Sequence, residues 1–288
     1  MALLMLAHAT GLDCEVATVN HGIRPEATAE CALVERQCKE LGIPCAVIDV
    51  MLAKGNLQQE ARRVRYKALT HWAEQRGLAA ILTAHHADDQ AETLLMRLNR
   101  GSGLAGLGGI REARAIEGSE VVLLRPLLAF RRTELRRIVE EARIETADDP
   151  SNRDPAFDRV RMRDALAQAE WLDVDGLAHS AGLLADAQNT IDGLALEDWG
   201  LNAKPVPGGF TYEPFAASKI ERRPVWIEVA TMIAADIGAE LTRGEAAKIV
   251  ESLLDERKIN VGGICASVSE SGAAYLWRFE REAPRRTG

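Results

Sequence analysis

At 288 residues and 47% hydrophobic content, the chain can bury a sizeable core and is expected to hold two domains. A net charge of −8 and a pI near 5.4 exclude a broadly basic nucleic-acid binder, although a local patch can still hold phosphate. No stretch approaches the roughly 20 apolar residues of a membrane span. The five cysteines (Cys14, Cys31, Cys38, Cys45 and Cys265) include no Cys-x-x-Cys, which points to reduced thiols in a cytoplasmic protein.

Residues 2–9 read as a short helix; they are apolar but lack the basic flank and cleavage site of a signal peptide. Residues 15–19 read as a strand ending at Asn20-His21-Gly22, and its carboxyl end is a natural seat for a nucleotide base. His21 fits that role and fits a plain turn equally well. Residues 28–41 form an amphipathic helix stopped by Gly42, with Cys31 and Cys38 seven apart on one buried face. A strand over 45–50 follows, then a long helix over 57–76 ended by Gly77. Arg62, Arg63 and Arg65 lie in its second and third turns beside Tyr66, on what is ordinarily a solvated face. The β-α-β-α order predicts a parallel sheet with helices on both faces.

The apolar run at 79–84 is short enough for a buried strand, and Leu94, Leu95 and Leu98 then recur at helical spacing. Between them crowd His85, His86, Asp88, Asp89, Gln90 and Glu92. The parse is strand, tight turn, helix, and such a turn sits at the carboxyl edge of an open α/β sheet, where ligands bind. Asp89 and Glu92 are three apart on the first helical turn, so their side chains can face the same way. Three readings stay open. Asp88 or Asp89 caps the helix, with Glu92 completing a capping box. His, Asp and Glu hold a metal, although the helical His-x-x-x-His pattern is absent. Or the two carboxylates hold an amine, beside histidines that titrate near neutral pH.

That helix runs from Asp88 to near Arg100. Gly101, Gly103, Gly106, Gly108 and Gly109 then predict a flexible loop with room for close backbone approach. It is not a Gly-x-Gly-x-x-Gly after a strand, so no dinucleotide site is read. From Arg97 to Arg137, nine arginines stand against Glu112, Glu117, Glu120 and Glu134 in an otherwise acidic chain. This stretch is the best candidate in the chain for contact with a nucleic-acid backbone, and a solvated helix face explains Arg131 to Arg137 about equally well. Residues 121–124 read as a strand, followed by a helix through Arg143, and 148–152 as a turn cluster. Arg159, Arg161 and Arg163 would share a face in an extended segment and fan out in a helix. Residues 165–200 look helical, and Lys204-Pro-Val-Pro-Gly-Gly is a linker signal. Beyond it, helices over 225–237 and 243–254 mix with short strands. Residues 261–268 and 273–279 pair as a hairpin in a small α+β or helical domain.

Several ordered motifs carry a resemblance. They are Val19-Asn-His-Gly-Ile-Arg-Pro-Glu, Gly55-Asn-Leu-Gln-Gln-Glu-Ala-Arg-Arg-Val-Arg-Tyr, Thr83-Ala-His-His-Ala-Asp-Asp-Gln-Ala-Glu-Thr, Arg100-Gly-Ser-Gly, Arg125-Pro-Leu-Leu and Asp148-Asp-Pro-Ser-Asn. Together they closely resemble the tRNA(Ile)-lysidine synthases of the PP-loop ATP-pyrophosphatase group. The likeness is strong over residues 1–165 and diffuse beyond. It implies a doubly wound, mostly parallel α/β sheet with a second, smaller helical or α+β domain. The implied division is a PP-loop catalytic domain over 1–165, a helical connector over 166–204 and an accessory tRNA-binding domain over 205–288.

The implied reaction joins free L-lysine to C2 of the wobble cytidine of a tRNA(Ile) with a CAU anticodon. It uses ATP and Mg²⁺ and passes through an adenylated tRNA. By the same resemblance Asp89 and Glu92 are the catalytic pair and, with His86, the lysine site. His21, Arg62, Arg65 and Arg161 are the implied ATP contacts. Arg100, Arg131, Arg132, Arg159 and Arg163 are the implied tRNA contacts. No metal ligand is assigned, and a homodimer is left open.

Two departures stand out. Asn20 occupies a place where relatives often carry Asp. The group is also defined by a glycine-rich Ser-Gly-Gly-x-Asp-Ser loop, whose backbone N–H groups cradle the ATP phosphates; this sequence begins just after its place. The expectation is that Met1 is an internal methionine of a longer gene, and that the chain as given is inactive without that loop. Two rival readings are a non-catalytic tRNA-binding remnant and another PP-loop tRNA-modifying enzyme. The thiolases of that group commonly carry paired cysteines, and none are paired in this sequence.

Overall fold

Short apolar strands alternating with amphipathic helices give the first part of the chain its α/β build. The computed structural model describes residues 1–20, 22, 25–51, 57–147, 154–216, 221–271 and 274–282; His21 and the 148–152 turn cluster lie outside them. The chain divides into two units, Met1–Ala185 and Asp186–Gly288. The first holds α1 (Ala2–Ala9), β1 (Val16–Asn20), α2 (Pro25–Leu41), β2 (Cys45–Asp49), α3 (Leu57–Gln75), β3 (Ala80–Leu82) and α4 (Ala87–Asn99). It continues with α5 (Leu104–Leu107), β4 (Ala113–Ala115), β5 (Val122–Leu124), α6 (Arg132–Glu141), α7 (Asp158–Gln168) and the start of α8 (Val174–Asn202).

The parallel pairing expected from the element order is present. β1 pairs with β2 and β3 with β5, both parallel, and β4 closes the second sheet antiparallel to β5. Among the described residues the parallel strands form two sheets rather than one, and α3 packs on both β1 and β3. Under α3, Ala73, Ile81, Val121 and Leu123 form a small core. Parallel strands place every βα turn at the same edge, so the turn from β3 into α4 opens at the carboxyl edge of its sheet.

The glycine-rich segment departs from its expected form. It carries the helical turn α5, and its backbone is held from α4. The Arg97 guanidinium donates to the carbonyls of Gly106 and Gly109, and the buried Gln90 carboxamide exchanges two hydrogen bonds with the backbone of Ile110. Carbonyls turned inward need donors, and a half-buried arginine supplies them. The expected close approach is real at Gly109, which sits at φ +60 against Gln90.

The second unit takes in the rest of α8, followed by β6 (Ala203–Val206), β7 (Gly209–Tyr212), α9 (Arg223–Asp236), α10 (Arg243–Leu254), β8 (Ile259–Val261), β9 (Ile264–Ser271) and β10 (Ala274–Arg281). The strands form one antiparallel sheet in the order β6-β7-β10-β9-β8. The expected linker at 204–209 is in fact a hairpin. Pro207-Gly208 makes its two-residue turn, with Gly208 at φ +83, and Pro205 is tolerated because β6 is an edge strand. Trp226, Trp277, Tyr212 and Phe279 fill the core between the sheet and α9 and α10.

Gly109→Ala should destabilise the first unit by about 1–3 kcal/mol, because the added Cβ collides with the Gln90 carboxamide at a left-handed φ. Urea unfolding checks this. An unchanged midpoint would mean that the segment is not pinned to α4.

Candidate active site

Three carboxylates leave the carboxyl end of β3 in quick succession, and each has its own set of partners, with Arg159 shared by Asp89 and Glu92. His86 is the N-cap of α4. Its backbone N–H donates to Asp89 Oδ2 at 3.0 Å, and its Nδ1 accepts the Asp89 N–H at 3.4 Å. The capping box is therefore present, but His86 and Asp89 close it and Glu92 takes no part. Asp88 turns away from its own helix. Its Oδ2 accepts the Arg132 N–H at 2.7 Å and lies 3.4 Å from Arg131 Nε, so it caps α6. Burial raises the Asp88 pKa, but the Arg132 N–H and the Arg131 guanidinium outweigh it and hold the group below the usual carboxylate range.

Glu92 is only 1% exposed. Arg159 Nε meets its Oε2 at 2.9 Å and Arg163 Nε meets its Oε1 at 2.9 Å. Arg159 also reaches back, with Nη2 3.1 Å from Asp89 Oδ1. The segment carrying these arginines is helical, so they fan out. Arg159 and Arg163, one turn apart on α7, share a face. Arg161 points instead to Asp158, which also holds Arg100 at 3.0 Å. Of the expected site residues, the fold thus gathers His86, Asp89, Glu92, Arg159 and Arg163 in one cluster. Arg100 and Arg161 form another. Arg131 bridges Asp88 and Asp175, Arg132 contributes its backbone N–H, and Arg62 and Arg65 lie exposed on α3.

Two further residues belong to this cluster. His85 Nδ1 lies 3.0 Å from the Thr83 hydroxyl. Burial lowers the His85 pKa to about 4; Asp89 pulls it up, and Arg125, Arg62 and Arg159 push it down. The expectation of histidines titrating near neutrality fails for His85, which is a neutral imidazole at pH 7. Arg125 is 4% exposed, and its guanidinium donates to the Arg111 carbonyl. Its Nε has no partner among the described residues. In the sequence, Arg125 marked only a resemblance; its place at the head of an apolar Pro-Leu-Leu run was the one signal that it is buried. The described residues contain no group of three or more His, Cys, Asp or Glu able to hold a metal ion.

Residues 1–170 match the family described as the PP-loop domain. Over 289 residues the chain is 39% identical to the tRNA(Ile)-lysidine synthase of Novosphingobium aromaticivorans, covering 99% of this chain and 86% of that protein. It is 35% identical over 292 residues to the tRNA(Ile)-lysidine synthase of Zymomonas mobilis, with the same coverage. The chain belongs to the tRNA(Ile)-lysidine synthase family. Among solved structures, the U34-tRNA thiolase NcsA of Methanococcus maripaludis, determined with its 4Fe-4S cluster, shares the fold. Its TM-score is 0.52 and its identity 18%, over 65% of this chain and 67% of that one.

In this cluster the two carboxylates Asp89 and Glu92 stand at the carboxyl edge of the sheet and are compensated by the guanidinium groups of Arg159 and Arg163. Removing one member of a buried pair leaves the others uncompensated. Glu92→Gln should cost about 1–3 kcal/mol of stability, held to this range because Arg159 and Arg163 are partly solvated. Thermal unfolding of the variant would show it, and a midpoint equal to that of the parent would mean the ionic contacts contribute nothing.

The neutral His85 sets a pH window. Its folded-state pKa, about 4, lies below the ordinary value of about 6.5. Between those values the unfolded chain binds more protons, so the His85 contribution is complete above pH 6.5 and is lost as pH falls toward 4. Unfolding midpoints measured down that range should fall less steeply for His85→Gln than for the parent chain. Parallel curves would contradict the burial argument.

Proposed function

We propose that the protein forms lysidine, joining lysine to C2 of the wobble cytidine of tRNA(Ile) at the expense of ATP. The observation that carries this reading is the place of Asp89 and Glu92. They stand on α4, at the carboxyl end of the parallel strand β3, in a chain related to lysidine synthases over 99% of its length. The C2 oxygen is a poor leaving group. In the first step it attacks the α-phosphorus of ATP; an O–P bond forms and pyrophosphate leaves. In the second an unprotonated lysine amine attacks C2, AMP departs with the electrons of the C–O bond, and the amine sheds a proton. An ammonium titrates near 10.4, so the nucleophile needs a base or a site that disfavours its protonation.

In this reading Asp89 orients an ammonium of lysine, Glu92 accepts a proton, and His86 borders the lysine site. Both carboxylates already hold guanidinium groups, which supports a preference for cations; incoming lysine competes with Arg159 for the same oxygens. Arg62, Arg65 and Arg161 are assigned to the phosphates, where guanidinium forks suit developing charge. His21, outside the described residues, is assigned to the nucleotide. Mg²⁺ would arrive on ATP, and no step is assigned to it. Arg100, Arg131, Arg132, Arg159 and Arg163 are assigned to tRNA, and residues 205–288 to an accessory tRNA-binding module. The wobble base lies in a loop, so it can be splayed out without melting a duplex. Five free cysteines suit a cytoplasmic setting, and among the described residues no helix is long and apolar enough to cross a membrane.

Labelled lysine should enter a tRNA(Ile) transcript with a CAU anticodon, in an ATP-dependent way, when supplied with the 288-residue chain or its reading frame extended upstream. No incorporation with either would end this reading. Asp89→Asn keeps an acceptor for the His86 N–H, so its stability should stay within about 1 kcal/mol of the parent while lysine transfer is abolished. Full turnover by that variant would remove Asp89 from the mechanism.

A further inference from the structure

A cavity of about 920 Å³ runs along α3, between that helix and the β4–β5 hairpin. Arg62, Tyr66, Lys67 and His71 line one wall, Arg114 and Glu117 the other, and the buried Leu123 is the floor. Arg62, Lys67 and Arg114 are exposed, and none has an ion-pair partner among the described residues. Lys39, Arg132 and Arg143 are likewise exposed without an ion pair among the described residues, but they are scattered, whereas these three line one groove. Arg136 and Arg137 on α6 are paired with Glu140 and Glu141, and Arg100 and Arg161 share Asp158 in a smaller cleft of about 230 Å³. Against the lining carboxylates Glu74, which accepts a hydrogen bond from the Ser119 hydroxyl, and Glu117, the groove still presents three cations without ion pairs in a chain whose net charge is −8. It also presents an aromatic surface, with the Arg62 guanidinium 5.2 Å from the Tyr66 ring centroid.

One end of the groove meets the site already described. Arg62 lowers the pKa of His85, and Arg62 and Arg114 both act on the buried Arg125. A nucleotide whose base is drawn into the carboxyl edge of the sheet must carry its flanking strand away across the adjoining surface. The arginines of the smaller cleft, Arg100 and Arg161, are already neutralised by Asp158, whereas Arg62, Lys67 and Arg114 in the α3 groove have no ion pair among the described residues. Phosphate backbones are held by such cations, and unstacked bases by aromatic and guanidinium planes.

We propose that the groove between α3 and the β4–β5 hairpin carries the phosphate backbone of the tRNA strand that flanks the wobble nucleotide. Lys67 and Arg114 hold it from opposite walls, and Tyr66 offers a stacking surface. This rests on the lysidine-forming reading for its choice of strand, and on the groove itself for its choice of polyanion.

The test is equilibrium binding of tRNA(Ile) across a salt series to the parent chain, to Lys67→Glu with Arg114→Glu, and to Lys39→Glu. The last reverses a charge on the exposed side of α2. The double variant should bind about 10- to 100-fold more weakly near 0.1 M salt. Its plot of log K against log salt should be shallower by about 1.4, two single-strand phosphate contacts at about 0.7 each. Lys39→Glu should bind within about threefold of the parent, and ATP affinity and unfolding midpoints should be unchanged in both. Parent-like affinity and slope in the double variant would overturn the proposal. So would an equal loss in Lys39→Glu, which would make the effect one of net charge. Lysine incorporation separates the two ideas. Incorporation with an unchanged KM for tRNA in the double variant sinks the groove alone; weakened binding by a protein that never transfers lysine sinks the reaction alone.

Discussion

A carboxylate with 1% exposure has to be answered by positive charge, and the rest of the first unit is arranged around that requirement at Glu92. Left alone at that depth it would cost several kcal/mol or take up a proton. Arg159 and Arg163 answer it from 67 and 71 residues further along the chain. Two guanidinium groups on the two carboxylate oxygens lock the start of α7 to the second turn of α4. Because Arg159 also touches Asp89, the same lock sets the first turn, and with it the direction in which the acidic pair faces.

From that anchor the neighbouring charges sort themselves. Asp88 goes to the N-terminus of α6, where unsatisfied N–H groups welcome an anion. Asp89 closes the capping box with His86 and keeps its second oxygen for Arg159. His85, partly buried and within reach of the charges of Arg125, Arg62 and Arg159, gives up its proton. Gln90 and Arg97, on other faces of α4, pin the glycine-rich segment. One helix thus organises the site, its cap, and the loop that follows it.

The overall negative charge hides a local inversion. Most exposed arginines of the first unit lie beside a carboxylate of their own or a neighbouring helix, and such pairs cancel at a distance. In the α3 groove Arg62, Lys67 and Arg114 stand together without such pairs. Charge patterning matters here through which cations are left over, not through how many there are. The second unit solves a different problem. It packs a five-stranded antiparallel sheet around aromatic side chains, where the Tyr212 hydroxyl is bonded to the buried Asp198 and the Trp226 indole N–H to the Pro214 carbonyl, while the Trp277 indole N–H has no partner among the described residues.

Much was legible in the residues. Short apolar runs and helical spacings placed β1, β2, β3 and the long helices α2, α3 and α4 within a few positions, and the 83–93 string marked the turn that holds the site. The order of motifs alone was enough to suggest the family. What local pattern cannot carry is the partner of a charge. The sequence placed Arg159, Arg161 and Arg163 at alternate positions; only the helix sends two to Glu92 and one to Asp158. It offered glycines as freedom, where Gln90 and Arg97 make them a bound surface, and it offered Pro and Gly at 204–209 as a linker, where an edge strand accepts them. It left His85 a titrating histidine until burial was known. The reason is common to all four cases. Periodicity and turn chemistry act between residues a few positions apart and are written in order along the chain. Burial and ion pairing act between residues tens of positions apart, and come into being only when the elements pack.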